Sequence, residues 1–309
     1  MIEKITTLSQ TSYHQYKFRK NLLPDTDAAG PISASILGEM ANPLKYLTSE
    51  EKHQTDDMAY GSMVDLLWLT PELWDTYCIL QPDNAPKKPT QPQINAVKKS
   101  DKAIESINWW NDFARKSLGK IVVSKEIFIK VKEAVKMLNL HPLSKHIWNV
   151  SEKQTILMGK SNKLHPNGKY YLAKAMLDLL PQEGTIEIGG MSYNLNEFVV
   201  DLKQCHNVTE FGMKNAIKTF QYNMKTAWYL NMLQASGETQ RDKAILIFQN
   251  SSAPFDVHVR IIDNDDINDG KDQYIERITK MNSIDPSNLT GLFDNEVKVI
   301  SLPKWAKED

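Results

Sequence analysis

LAKAMLDLL at residues 172–180 and FVVDLKQC at residues 198–205 are two apolar segments of strand length, and each carries an aspartate. Side chains two apart on a strand point to the same face, so Asp201 and Lys203 project together while Leu202 faces the other way. If Asp178 ends a neighbouring strand, two carboxylates converge, and their repulsion favours a bound cation such as Mg²⁺. The lysine can then orient water or stabilise charge on a phosphate. The pattern predicts metal-assisted phosphodiester hydrolysis, and a surface ion pair at a strand end is the alternative.

The rest of the chain changes character near residue 148. Before it, the spacing of apolar residues predicts mainly helices. After it, short runs rich in β-branched and aromatic residues with turn signals between them predict strands. The predicted elements are helices at 33–47, 57–69, 96–118 and 124–140, a loop at 81–93, and two further helices among the strands at 215–233 and 270–281.

These elements predict an α/β (α+β) fold in which helices flank a mixed central sheet, preceded by a helical N-terminal region. The spacing between Asp178 and Asp201 leaves room for a hairpin through residues 184–190. No flexible linker marks residue 148. We therefore expect one domain over residues 1–309, with a mainly helical region at 1–147 and a strand-rich core at 148–309.

The composition limits the classes of protein that the chain can represent. Among 309 residues, 37 Lys and Arg stand against 38 Asp and Glu, yet residues 81–170 hold 17 basic against 7 acidic residues. This local excess fits a basic face for a polyanion or a solvated helical face. Two cysteines, Cys78 and Cys205, exclude a disulfide framework and a four-cysteine zinc site. No apolar stretch reaches the ~20 residues that span a bilayer, so we expect a cytoplasmic protein without a membrane partner.

Several segments together resemble the PD-(D/E)XK superfamily. The order strand with Asp, hairpin, strand with Asp-x-Lys, then helix is that of its nuclease core. Within the superfamily, the chain is similar to phage and prophage recombination exonucleases of the exodeoxyribonuclease VIII type, with lambda exonuclease as a more distant relative. The segments that carry this similarity are ISASILGEMANPLKYL at 32–47, MAYGSMVDLLWLTPELW at 58–74, FQYNMKTAWYL at 220–230 and the two strands quoted above.

The resemblance implies a metal site for Mg²⁺, with Mn²⁺ as the alternative. Asp178 and Asp201 would be metal ligands and catalytic residues, the Leu202 carbonyl a further ligand, and Lys203 the residue that positions the attacking water. Asp65 stands where the family helix commonly has a histidine. An aspartate in an apolar helix is costly to bury without a partner, which a metal would supply. The alternative is that Asp65 faces water or pairs with a lysine.

The later helix carries the residues that the resemblance assigns to DNA. Tyr222 and Tyr229 align with two family tyrosines, and Lys225 stands where glutamine is usual. Gln221 lies four residues before Lys225, so a continuous helix would place both on one face, within reach of one phosphate. The alternative is that Tyr222 belongs to the core and the polar pair is exposed.

The activity that the resemblance implies is a Mg²⁺-dependent exodeoxyribonuclease acting on double-stranded DNA with a free end. It further implies 5′-to-3′ resection for phage-type recombination in a bacterial cytoplasm, a homo-oligomeric ring and a single-strand annealing partner. A structure-specific endonuclease and an inactive DNA-binding or assembly protein on the same fold remain the alternatives.

Three other features are weaker. Trp109 and Trp110 beside Phe113 can stack on exposed bases, although core or subunit packing is favoured. Residues 265–276 have the length of an EF-hand loop, but Ile267 occupies a ligand position, so no calcium site is expected. The Gly-Gly pair at 189–190 predicts a turn.

Overall fold

The computed structural model describes residues 1–5, 13, 29–48, 55–285 and 288. The strands are β1 (Ile2–Ile5), β2 (Cys78–Leu80), β3 (Ile121–Val123), β4 (Ser151–Ser161), β5 (Tyr171–Pro181), β6 (Thr185–Ile188), β7 (Met191–Asn194), β8 (Phe198–Cys205), β9 (Lys243–Asn250) and β10 (Val257–Ile261). The helices are α1 (Ala34–Glu39), α2 (Pro43–Thr48), α3 (Asp56–Leu69), α4 (Trp74–Tyr77), α5 (Gln91–Asn95), α6 (Asp101–Lys116), α7 (Lys125–Leu140), α8 (Pro142–Asn149), α9 (Glu210–Phe220), α10 (Tyr222–Ser236) and α11 (Asn264–Ser283).

The central sheet has the strand order β1-β4-β5-β8-β9-β10. Neighbouring strands run antiparallel except β8 and β9, which are parallel, so the sheet is mixed. The long connection from β8 to β9 contains α9 and α10, as a parallel pair requires a crossover. The predicted α/β class, with helices flanking a mixed central sheet, is confirmed.

Two apolar layers cover the two faces of the sheet. One layer combines α1, α10 and α11 with the sheet, and its centre holds Leu37, Trp228 and Ile278, all fully buried. The other combines α3, α7 and α8 with the opposite face, and there Val64 and Leu138 are fully buried. The sheet therefore lies between helices on both sides.

Local capping explains where most helices begin. Thr55, Ser100 and Ser124 each accept a hydrogen bond from the backbone N–H three residues later, which starts α3, α6 and α7. The predicted helix at 96–118 therefore begins only after Ser100. The Thr70-Pro71 pair ends α3, because a residue before proline is disfavoured in the helical conformation.

Three further predicted helices differ from the observed ones. The helix predicted at 33–47 is two helices, and Pro43 starts the second one. The helix predicted at 215–233 is also two, α9 and α10, separated by Gln221 in the left-handed conformation with φ 54°. The helix predicted at 270–281 starts earlier, at Asn264, because the Asp263 side chain caps its N-terminus.

The N-terminal region is not purely helical, because β1 pairs with β4 at the edge of the central sheet. The turn predicted at 189–190 joins β6 to β7 in the expected hairpin. Across the described residues, no helix combines the length and apolar character that a membrane crossing needs.

Candidate active site

The site lies where β5 and β8 separate. Within the described residues, their ladder contains the pair Leu179 and Val200 and goes no further towards Asp201. The Leu202 N–H instead donates a 2.9 Å hydrogen bond to Asp178 Oδ2. The Asp178 carboxylate thus accepts the hydrogen bond that a backbone carbonyl of the neighbouring strand would otherwise accept. Because the N–H and C=O of one strand residue point to the same side, the Leu202 carbonyl also faces this opening, which we call the fork.

An irregularity in β5 directs Asp178 into the fork. Leu177 and Leu180 belong to the same core layer although they are three residues apart, whereas Leu179 belongs to the other layer. The strict alternation of a strand is therefore broken at Asp178. On β4, Gln154 adopts φ 50° and its Nε2 donates to Asp178 Oδ1 at 3.4 Å. Irregular strand geometry of this kind is frequent beside active sites.

Asp201 and Lys203 project from β8 to the same side, as predicted. Lys203 Nζ forms an ion pair with Asp201 Oδ2, and the two side chains are only 17% and 8% exposed. Burial lowers the pKa of Lys203, but Asp201 and Asp178 raise it more, so its pKa lies above the ordinary value. The lysine is therefore charged at neutral pH.

Asp65 of α3 reaches the same site. Burial raises its pKa to about 7, Lys203 opposes this shift, and the negative charge of Asp201 adds to it. The pKa of Asp178 is raised well above its ordinary value by burial and by the charges of Asp201 and Asp65. The three aspartates therefore repel one another across a space with little water, and Lys203 is the positive charge that partly offsets this repulsion.

Helix α10 supplies the far wall of the site through Tyr222, Lys225 and Tyr229, which share one helix face at spacings of three and four residues. The Tyr222 ring lies 5.1 Å from Lys203 Nζ and 5.3 Å from Lys225 Nζ. Burial, reinforced by Lys203, lowers the pKa of Lys225 to about 8. Burial raises the pKa of Tyr229 well above its ordinary value, and the charge of Asp201 adds to the shift.

The prediction that Gln221 and Lys225 share a helix face is wrong, because Gln221 is the left-handed junction before α10 and lies outside the helix. Its Oε1 is buried without a hydrogen-bond partner and lies close to where a side chain at Gly38 would begin. Gln221 therefore faces α1, while Lys225 faces the aspartates. Tyr222 is buried, as the core alternative held, and it also contacts Lys203.

A metal ion is compatible with the chemistry of the donors but not with every detail of their placement. As the side chains lie, no three His, Cys, Asp or Glu residues of the described ranges form a group that could hold a metal. Lys203 instead pairs with Asp201. The donors are nevertheless carboxylate and carbonyl oxygens, which Mg²⁺ and Mn²⁺ prefer. Burial is the main cause of the raised pKa of Asp178, and the charges of Asp201 and Asp65 add a repulsion that a divalent cation would relieve.

Sequence reasoning missed Gln154. Its backbone is left-handed, and it lies beside Asp178 because the pairs Lys153–Leu179 and Thr155–Leu177 of β4 and β5 flank the two residues. A glutamine within QTILMG carries no signal of its own. The weak EF-hand candidate at 265–276 lies within α11, so its residues form a helix in place of a calcium-binding loop.

The comparisons with known proteins are sparse. No family model matches the chain, and no curated protein matches it. Among solved structures, the chain is similar to a crystal structure from Eubacterium rectale named "Putative exonuclease", with 12% sequence identity and a TM-score of 0.47. The similarity covers 90% of this chain and 92% of that one. The case for a function therefore rests on the residues of the site.

Proposed function

We propose that this chain is a metal-dependent deoxyribonuclease that degrades linear double-stranded DNA from an end. The observation that carries the proposal is the convergence of Asp178, Asp201 and Lys203 in the fork between β5 and β8, with Asp65 facing them. A group of one buried and two half-buried carboxylates with one lysine is costly for stability alone. Such a cluster is typical of a site that binds a cation and a phosphate.

In this proposal Asp178, Asp201 and the Leu202 carbonyl hold Mg²⁺ or Mn²⁺, and Asp65 adds a further carboxylate. The bound ion would lower the pKa of a water molecule and neutralise charge that develops on the phosphate. Lys203 would then exchange its contact with Asp201 for one with the attacking water or a phosphate oxygen. Gln154 and the Leu202 N–H keep the Asp178 carboxylate oriented.

The residues that α10 contributes to the site favour a nucleic-acid substrate. Lys225 lies beside Lys203 and Tyr222, so a second cation and an aromatic face stand next to the carboxylates. A phosphodiester bound there would have two lysines, Lys203 and Lys225, near the reacting phosphate. The excess of basic residues in 81–170 adds a charge that attracts a polyanion.

The choice of an exonuclease on duplex DNA, with 5′-to-3′ resection, a homo-oligomeric ring and an annealing partner, rests on the family resemblance of the sequence. These parts of the proposal are separate from the chemistry of the fork. A structure-specific endonuclease would use the same residues but would need no DNA end.

The test is digestion of linear duplex DNA carrying 5′ phosphates, in Mg²⁺ and in chelator, with closed circular DNA of the same sequence in parallel. Two variants accompany the wild type. Lys203→Ala removes the lysine of the fork, and Lys243→Ala removes a strand lysine that is paired with Glu197 at 2.8 Å elsewhere on the sheet. Circular dichroism confirms that both variants fold.

The expected result is metal-dependent loss of the linear substrate alone, with Lys203→Ala slower by about 10²-fold or more and Lys243→Ala near wild type. Cleavage of the closed circle would identify an endonuclease. Equal rates in Lys203→Ala and wild type, or no cleavage of either DNA in Mg²⁺ and Mn²⁺, would refute the proposed site.

A further inference from the structure

A second site candidate lies outside the fork, between the proline-rich segment that precedes α5 and the N-terminal half of α6. A cleft of about 610 Å³ opens there. This volume is within the range of small-ligand pockets, roughly 300–1,000 Å³. Lys87, Lys88, Lys102, Glu105 and Trp109 are among the residues that line it.

The proline-rich wall of this cleft is fixed to α6. Trp110 Nε1 donates to the Pro86 carbonyl at 2.9 Å, and Ser106 Oγ donates to the Lys87 carbonyl at 2.8 Å. Prolines at 82, 86, 89 and 92 add stiffness to the same segment because each one fixes its own φ. The cleft is therefore formed before any ligand arrives, which lowers the entropic cost of binding.

An aromatic ring and three lysines line the cleft. Phe113 stacks against Trp109, with ring centroids 5.2 Å apart and planes inclined by 14°, and this contact holds the indole in place. Lys87, Lys88 and Lys102 are exposed, and none of them forms an ion pair within the described ranges. Glu105 is the acidic residue among the lining, so the cleft carries a positive charge.

We propose that this cleft binds single-stranded DNA, with a base on Trp109 and the backbone phosphates on Lys87, Lys88 and Lys102. Stacking on an aromatic ring needs a base whose face is open, which a duplex does not offer. Lysines that form no ion pair among the described residues match the phosphates by charge. The proposal uses no residue of the fork and holds whether or not the fork cleaves DNA.

Binding is measured with a fluorescein-labelled 20-nucleotide oligo(dT) in chelator, on the full chain carrying Lys203→Ala, so that no cleavage occurs. Lys87→Ala/Lys102→Ala removes two exposed lysines of the cleft. Lys116→Ala/Lys145→Ala is the matched control, since it removes two exposed lysines of the same basic stretch that do not line the cleft. Trp109→Ala and Trp109→Phe test the aromatic contact.

The cleft double variant is expected to bind oligo(dT) about tenfold more weakly than the control at 0.1 M salt. The slope of log affinity against log salt should also become shallower by about 1.4, because each phosphate contact in a single strand contributes about 0.7. Trp109→Ala should bind oligo(dT) about tenfold more weakly than the protein with Trp109, and Trp109→Phe should lose less affinity because phenylalanine retains a stacking face. If Trp109→Ala disturbs the packing of Trp110 and Phe113, the lysine double variant still tests the cleft.

Equal affinity of the cleft and control double variants would overturn the proposal. Thymidine monophosphate serves as a competitor, because a mononucleotide offers the same base and phosphate as one unit of a strand. We expect it to displace oligo(dT) only at a concentration at least 100-fold above that of the unlabelled oligonucleotide. Displacement at equal nucleotide concentration would assign the cleft to mononucleotides and would overturn the assignment to a strand.

Discussion

Asp178 accepts hydrogen bonds from the Leu202 N–H and from Gln154, and the bond from Leu202 lowers its pKa. Burial and the charges of Asp201 and Asp65 have the opposite, larger effect, so the pKa of Asp178 is raised. A carboxyl group whose pKa is raised on folding contributes stability below its unfolded pKa and loses it as the pH rises through the folded pKa. Without a metal, the ionised site therefore destabilises the fold at neutral pH.

Asp178→Asn should therefore raise the melting temperature at pH 8 in chelator by about 2–4 °C, since asparagine can still accept the Leu202 hydrogen bond but carries no charge. The gain should shrink as the pH falls through the raised pKa of the Asp178 carboxyl group, and it should be gone below the pKa of about 3.9 of an unfolded aspartate. Saturating Mg²⁺ should stabilise the wild type and not the variant. Differential scanning calorimetry measures all three effects.

The surface variant Asp112→Asn is the control for this experiment, because Asp112 is paired with Arg115 in an exposed position. It should change the melting temperature little at any pH. A wild type that gains no stability from Mg²⁺ or Mn²⁺, together with a destabilised Asp178→Asn protein, would show that Asp178 serves the fold and not a metal.

Lys225 gives the site a pH-dependent charge on the side of α10. Burial and the neighbouring Lys203 lower its pKa to about 8, below its ordinary value. Between about pH 8 and 10.5 the unfolded chain binds the proton that the folded chain has released, so stability rises with pH across this range. The same deprotonation removes a positive charge that a phosphate would contact.

Lys225→Gln should therefore unfold at a higher temperature than wild type at pH 7, with the difference vanishing towards pH 10.5. In chelator, the affinity of Lys225→Gln for duplex DNA should be lower than that of wild type at pH 7 and should stay constant up to pH 9. The wild type should weaken about tenfold over that interval, as one phosphate contact is lost. Fluorescence anisotropy checks this, and parallel pH profiles of wild type and variant would contradict the role of Lys225.

At the scale of elements, the position of α10 depends on its close contact with α11. Gly270 of α11 lies against the first turn of α10, and a Cβ built there would be 2.4 Å from the Asn223 carbonyl oxygen and 2.8 Å from the Met224 nitrogen. These are backbone atoms, which cannot rotate away. Gly270 therefore sets the distance between two helices, one of which carries Tyr222 and Lys225.

Gly270→Ala should destabilise the chain by about 1–3 kcal/mol, because α11 must move away from α10. Gly61→Ala is the matched control in α3, where the added Cβ would lie an ordinary 3.8 Å from Gln204 Cγ. It should instead stabilise α3 by up to about 1 kcal/mol through helix propensity. Chemical denaturation measures both changes, and equal effects of the two variants would contradict the close contact of α10 and α11.

The elements also show what could be predicted from sequence. Apolar spacing located α3, α6 and α7 within a few residues, because that signal is local. The break at Gln221 carries no such signal, since glutamine is a good helix former and neither glycine nor proline stands there.

Local sequence signals have the same limit within the site. The Asp-x-Lys spacing on β8 was sufficient to predict that Asp201 and Lys203 share a face. The interrupted alternation at Asp178 and the contact with Gln154 arise from pairing between β4 and β5, which are tertiary neighbours. A sequence pattern reports the side chains of one strand, but it does not report where two strands separate.

At the scale of the whole molecule, the regions before and after residue 148 share their cores. Ile2 and Leu37 are buried in one layer with Trp228, and Val64 is buried in the other with Ile247. Removing residues 1–147 would uncover the face of the sheet that α3 and α7 cover and would take β1 and α1 from the other layer. A sheet with one bare apolar face cannot bury enough apolar surface to fold. The two regions should therefore unfold together.

Calorimetry should accordingly show one transition for the full chain, with equal calorimetric and van't Hoff enthalpies. Leu37→Ala, which creates a cavity in the N-terminal part of one layer, should cost about 2–5 kcal/mol and move the entire transition to lower temperature. A chain limited to residues 148–309 should show no cooperative transition. Two separable transitions, of which Leu37→Ala moves only one, would instead show that the strand-rich core is stable without its helical partner, and the fork could then be studied on residues 148–309 alone.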